Sequence, residues 1–223
     1  MQNNILRFIR NHAKIMYILS SIYNFFCLNR ISGLHKSRIM FKGTFLKKTK
    51  IINRGKNNII LIEEGSRLSD CTIRILGDNN IILINNDCDL KFLDIWCENG
   101  SEIKIGNTTH ITGYTHLAAT EGKRIEIGAQ CLFSSEIIVR TGDSHSILNE
   151  KKERINCSKD VVIGNHVWVG QRAIILKAAR VGDDCIVGAA SVLTGNEYAS
   201  NTVIVGQPGK VVKCDVNWNH LLL

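Results

Sequence analysis

Apolar residues return every six positions in the C-terminal half of the chain, at Ile163, Val169, Ile175, Val181, Val187 and Leu193. Glycine follows four of them, at Gly164, Gly170, Gly182 and Gly188, and small residues stand two positions before four, at Ala173, Ala179, Cys185 and Ser191. This period matches neither the turn of an amphipathic helix nor the alternation of a hairpin strand. It predicts a short strand, a tight corner and another short strand. The same register runs in stretched form through the earlier half: Ile62 and Leu68; Ile84, Leu90 and Trp96; Ile105, Ile111 and Leu117; Ile127, Phe133 and Val139. The text recurs as well, GKNNIILI at Gly55 becoming GDNNIILI at Gly77. Three six-residue faces make about 18 residues per coil, so the early coils hold roughly four extra residues at one corner. Stacked coils bury together a column that none could bury alone. The predicted fold is an all-β parallel solenoid over residues 51–213, preceded by a segment 1–50 and followed by a tail 214–223.

The first segment has its own pattern. Residues 15–28 (IMYILSSIYNFFCL) form an apolar run after Arg7, Arg10 and Lys14, closed by Arg30. The run is shorter than the roughly 20 residues that span a bilayer as a helix, and no small-x-small cleavage site follows. Two roles are open for this helical segment: packing on the main domain, or a basic amphipathic anchor making peripheral contact with an anionic membrane.

Charge and cysteine usage narrow the classes. The net charge is +8, yet residues 1–50 hold ten Lys and Arg with no Asp or Glu, while the remaining 173 hold 18 basic and 20 acidic residues. A nucleic-acid partner is disfavoured, because such proteins carry their basic face on the folded domain. The eight cysteines contain no C-x-x-C and no metal-finger spacing. Cys71, Cys88, Cys131 and Cys185 each lie two residues before an apolar strand position, where the repeat calls for a small side chain. Free thiols in that number imply a reducing compartment. The expected location is cytoplasmic, at the inner face of the membrane if the anchor holds, and no metal is expected.

The stretch DVVIGNHVWVGQRAIILKAARVGDDCIVGAASVLTG, followed by NTVIVGQPGKVVK, resembles the hexapeptide-repeat acyltransferases, and the likeness covers roughly residues 50–213. It implies a left-handed parallel β-helix, a hand that the repeat itself does not give, since sequential parallel connections are normally right-handed. It further implies a homotrimer with active sites between adjacent helices, acetyl-coenzyme A as co-substrate, and a sugar acceptor. Within the family the chain looks most like enzymes that O-acetylate capsular polysaccharide or lipopolysaccharide sugars, polysialic acid included. N-acylation of an amino-sugar nucleotide is the alternative.

The register breaks once, between Val139 and Ile163, leaving a loop at about 140–158 (RTGDSHSILNEKKERINCS). Loops of that length in a regular fold usually carry function. The resemblance makes His145 the general base, work that suits imidazole because its ordinary pKa lies near neutrality. Asp143 is the candidate to orient it. Trp168, one residue before the inward Val169, should point outward, either filling a subunit interface or lining the acceptor and pantetheine groove; the resemblance favours the groove, with Ser144 and His116 as further acceptor contacts. Matching motif to motif, the resemblance assigns the coenzyme A contacts to Gly170, Gln171, Ala189 and Thr194, with Lys210 and Lys213 near the phosphates. Gly195 stands where many relatives have lysine. Neither Ser144 nor any cysteine has a recognisable partner for covalent catalysis.

Two other classes compete. His110, His116 and His166 invite comparison with solenoid carbonic anhydrases, but His110 and His116, six apart, should aim in different directions. A bare binding solenoid would show a flat ladder of threonines or charges and would have no use for the His145 loop.

Overall fold

The structure is a computed structural model and describes residues 13–221. Arg7, Arg10 and the last two leucines lie outside the described residues. Helix α1 (Ala13–Phe26) leads into a parallel β-solenoid with three sheets of eight, eight and nine strands. Successive strands go to successive faces, so each strand pairs with the third one before and after it. Only the last strand, Lys210–Lys213, runs antiparallel, against Val203–Val205.

The pairing register turns the sequence period into columns. On the first face Ile51, Ile73, Ile95, Leu117, Val139, Ile175 and Leu193 are stacked partners. The second face stacks Ile62, Ile84, Ile105, Ile127, Ile163 and Val181. The third stacks Leu46, Leu68, Leu90, Ile111, Phe133, Val169, Val187 and Ile204. These side chains are at most 3% exposed and fill a single core.

The repeat glycines have a steric cause. A Cβ on Gly128 would stand 2.5 Å from the backbone of Gly164, and one on Gly164 would stand 2.8 Å from the Asp183 nitrogen, in the coil above each. The recurrent Asn-Asn pair also has a role in both members. Asn57 and Asn79 turn the corner with positive φ. The next residues, Asn58 and Asn80, are buried, and the Asn58 Oδ1 accepts from the Asn80 backbone N–H at 2.7 Å. This amide ladder satisfies the wider corner between the first and second faces, where the early coils hold their extra residues.

Two sequence expectations need revising. Trp96 does not join the internal column: Ile95 and Cys97 point inward, while Trp96 faces out and donates from Nε1 to Glu98 at 3.0 Å. The inward step from the third to the first face is five residues in the early coils, Leu68 to Ile73 and Leu90 to Ile95, so a strict count of six slips by one and lands on the opposite side of the strand. The solenoid also begins before residue 51. Strands Arg30–Ser32, Arg38–Met40 and Phe45–Lys47 already form its first rung.

Candidate active site

The excursion of residues 141–160 leaves the solenoid after strand Ile137–Arg140 on the first face and re-enters at Val161–Ile163 on the second. Its stem is pinned by buried hydroxyls. The Thr120 N–H donates to Thr141 Oγ1 at 2.9 Å, and Thr120 Oγ1 lies 3.4 Å from Ser158 Oγ. Gly142 must be small here, because a Cβ would come within 2.2 Å of Ser158 Oγ.

Asn156, 7% exposed, is the hub of the loop. Its Nδ2 donates to the His145 carbonyl at 2.7 Å and to Asp143 Oδ2 at 2.8 Å, and its Oδ1 accepts from the Ile147 N–H at 2.8 Å. Lys177, from the next coil, forms an ion pair with Asp143 and donates to the Asn156 carbonyl at 3.2 Å. The hydrogen bond from Lys177, with Asn156 adding to it, holds the Asp143 carboxyl below the usual carboxylate range. Asp143 is thus turned to Lys177 rather than to His145, and is linked to the histidine backbone through the shared Asn156 amide. The His145 side chain is exposed, and among the described residues its ring makes no hydrogen bond. Ser144, at φ +67°, accepts from Arg140 Nη2 at 2.6 Å.

This arrangement sets a sign for pH. A depressed carboxylate stabilises the loop above its unfolded value of about 3.9, and the contribution fades as pH falls through the lower folded value. Replacing Lys177 with methionine should return the Asp143 titration toward the ordinary range and speed amide hydrogen exchange across residues 143–157. NMR titration with exchange measurements checks this, and unchanged exchange would show that Lys177 does not brace the loop.

A groove of about 560 Å³ runs beside the loop along the same edge, lined among others by Asp143, Lys159, Lys177, Thr194, Gly195 and Pro208. Thr194 therefore sits with the loop. Gly170, Gln171 and Ala189 lie at a different edge, between the third and first faces. The Gly170 N–H is committed to the Val187 carbonyl at 2.8 Å, and Gln171 Nε2 donates to Glu136 at 2.9 Å. Lys210 and Lys213 are exposed on the closing antiparallel strand. Within one protomer the expected donor contacts thus fall on two edges of the prism.

Trp168 is 41% exposed on the third face. The C-terminal tail folds back across that face, an arrangement with no periodic signal in the sequence. Trp218 stacks on His166 with ring centroids 4.3 Å apart and donates from Nε1 to the His166 carbonyl at 2.7 Å. The Trp218 ring lies 6.1 Å from that of Trp168 and 4.7 Å from that of His220.

His116 occupies the first face, where its Nδ1 lies 3.0 Å from Asp94, which also pairs with Arg74. Burial pushes the Asp94 carboxyl up, but His116 and Arg74 outweigh it and leave it below its ordinary value. His110 is on the third face and His166 pairs with Asp184 at 2.8 Å, so the three histidines do not converge. Burial pushes the thiols of Cys71 and Cys97 up to about 12 and those of Cys88 and Cys131 up to about 11, which keeps them protonated and unreactive at neutral pH.

The family described as bacterial transferase hexapeptide (six repeats) matches residues 160–195. The chain is 32% identical over 173 residues to the polysialic acid O-acetyltransferase of Neisseria meningitidis, covering 77% of this chain and 80% of that one. It is 32% identical over 126 residues to the polysialic acid O-acetyltransferase of Escherichia coli O1:K1 / APEC, covering 56% of this chain and 40% of that longer protein. Among solved structures, the polySia-specific acetyltransferase NeuO superposes with a TM-score of 0.77 at 28% identity, over 86% of this chain and 82% of that one. The polysialic acid O-acetyltransferase OatWY superposes with a TM-score of 0.77 at 27% identity, over 87% of this chain and 92% of that one. The six-residue columns, the single loop that interrupts them and this likeness along most of the chain place the protein in the hexapeptide-repeat acyltransferase family, as an O-acetyltransferase.

Proposed function

We propose that the protein transfers an acetyl group from acetyl-coenzyme A to a sugar hydroxyl of a bacterial surface polysaccharide, polysialic acid being the first candidate and lipopolysaccharide sugars the next. The observation that carries the mechanism is His145, an exposed imidazole whose ring makes no hydrogen bond among the described residues, on a loop whose backbone is fixed by Asn156 and whose neighbour is an open groove. A general base needs this combination of a fixed backbone and an uncommitted ring. His145 takes the proton of the acceptor hydroxyl as its oxygen bonds to the acetyl carbon. The carbon–sulfur bond breaks, and the departing thiolate recovers the proton from the imidazolium.

The groove fits a long anionic donor. It offers the exposed Thr194 and the cation Lys159, beside the Lys177–Asp143 ion pair. At Gly195 a Cβ would meet nothing within 4 Å, so the wall there is open. With glycine in place of the lysine of many relatives, positive charge comes instead from Lys159, with Lys210 and Lys213 serving the phosphates. A homotrimer accounts for the two separated edges, because the loop and Thr194 of one protomer would face Trp168, Gln171 and Ala189 of the next. Trp168, braced by Trp218, and His116 and Ser144 then stand on the acceptor side.

Thiol release from acetyl-coenzyme A, followed with polysialic acid, lipopolysaccharide and an amino-sugar nucleotide as acceptors, tests the reading. Release that depends on a polysaccharide is expected. Release only with the amino-sugar nucleotide would convert the assignment to N-acylation, and no release with any acceptor would refute it.

A further inference from the structure

Helix α1 is amphipathic in the wrong sense for a helix covered only by its own domain. Its inward side carries Met16, Ser20 and Asn24; the first two are 5% and 2% exposed. Asn24 ties the helix to the first rung, donating from Nδ2 to the Thr44 carbonyl at 2.9 Å and accepting from the Leu46 N–H at 2.7 Å. The outward side carries Ile18, Ile22 and Phe25, spaced i, i+4, i+7, flanked by Leu19 and Phe26. Phe25 and Phe26 are 83% and 74% exposed, and Ile18 and Ile22 are each more than half exposed. The helix is thus held on the protein by Met16, by the Tyr23 ring against Phe45 and by the polar Ser20 and Asn24, while a contiguous apolar stripe that a helix packed on its own core would bury faces outward. Stripes of this kind mark contact sites.

Charge says what the stripe contacts. The strand on which the helix packs is bracketed by the exposed Lys42, Lys47 and Lys48, the Lys48 N–H donating to the Cys27 carbonyl just past the helix at 2.7 Å, and the rest of the first rung exposes Arg30, Arg38 and Lys50. The first 50 residues contain no Asp or Glu at all, whereas the rest of the chain is near neutral. A second copy seated on the stripe would bring the same cations against themselves, whereas an anionic surface complements them. Helix α1 has 14 residues, and no helix among the described residues is long and apolar enough to cross a membrane. Such a helix lies in the interface plane rather than across it.

We propose that helix α1 and the first rung form a docking surface for the anionic phospholipid face of a bilayer, with Ile18, Ile22, Phe25 and Phe26 entering the headgroup–acyl boundary and Lys42, Lys47 and Lys48 lying over the phosphates. This inference does not depend on the acetyl-transfer assignment.

Flotation of the full-length protein with vesicles of phosphatidylcholine alone, and of phosphatidylcholine mixed with phosphatidylglycerol, tests it. Recovery with the anionic vesicles should exceed recovery with neutral ones by about tenfold and fall in high salt. The paired substitution Phe25→Ser and Phe26→Ser touches exposed side chains and should abolish flotation with solution mass and circular dichroism unchanged. Lys47→Glu with Lys48→Glu should weaken binding to anionic vesicles alone. Absence of binding to anionic vesicles, or binding unaltered by the phenylalanine substitutions, would overturn the proposal. Loss of self-association in the phenylalanine variant without any vesicle binding would do so too, by making a second copy the occupant.

Discussion

Replacing His145 with alanine is expected to leave the solenoid folded and to lower acetyl transfer by about 100- to 10,000-fold, the range that a positioned general base contributes. The two halves of this expectation have separate causes. The loop is held by the His145 carbonyl, by Asn156 and by the buried stem hydroxyls, none of which the substitution removes. The ring itself is exposed, so its loss leaves neither a cavity nor an unpaired buried group. What disappears is the only imidazole in the loop, and Asp143 cannot take its place because its carboxylate is already committed to Lys177 and Asn156. Parallel measurements of kcat and of thermal unfolding check both halves. A variant that keeps more than a tenth of the wild-type rate would remove His145 from the chemistry.

Replacing Phe133 with alanine should cost about 3–5 kcal/mol of stability. Phe133 is fully buried on the third face, paired below with Ile111 and above with Val169. The cavity would lie in mid-column, where strand pairing on both sides fixes the spacing of the rungs and limits collapse. Because each rung of a solenoid is stabilised by its neighbours, the loss should also be felt in the coils that carry Trp168 above and His110 below. Denaturant titration measures it, and a cost under about 1 kcal/mol would mean that the column relaxes far more easily than a close-packed core does.

The solenoid was legible because its cause is periodic. Apolar positions every six residues became the three columns, and the glycines between them mark where one coil's backbone approaches the next. Cys71, Cys88, Cys131 and Cys185 are buried where the repeat asked for small side chains. Trp96 was misplaced because the early coils shorten one step to five residues, a change that strict counting cannot see. The first rung was missed for a related reason. Strand Arg38–Met40 and its neighbours follow an apolar run that reads as helix, and only their pairing with the second rung reveals them.

The site was legible only in part. A break in the register located the loop, and the family likeness drew attention to His145. What fixes that loop was not visible, since Asn156 and Lys177 are 21 residues apart in sequence and meet only because the chain returns to the same edge one coil later. Trp218 was likewise silent, a single aromatic in a short tail whose partner His166 is 52 positions away.

The central claim is that an acetyl ester is made on a sugar polymer. The most direct test is to incubate the protein with carbon-13-labelled acetyl-coenzyme A and polysialic acid, then record the NMR spectrum of the recovered polymer before and after mild alkali. The account predicts new acetyl carbonyl signals correlated to protons on the sugar carbons that carried hydroxyls, removed by the alkali treatment. Label that survives alkali as an amide, or a polymer that acquires no label while another acceptor does, would contradict it.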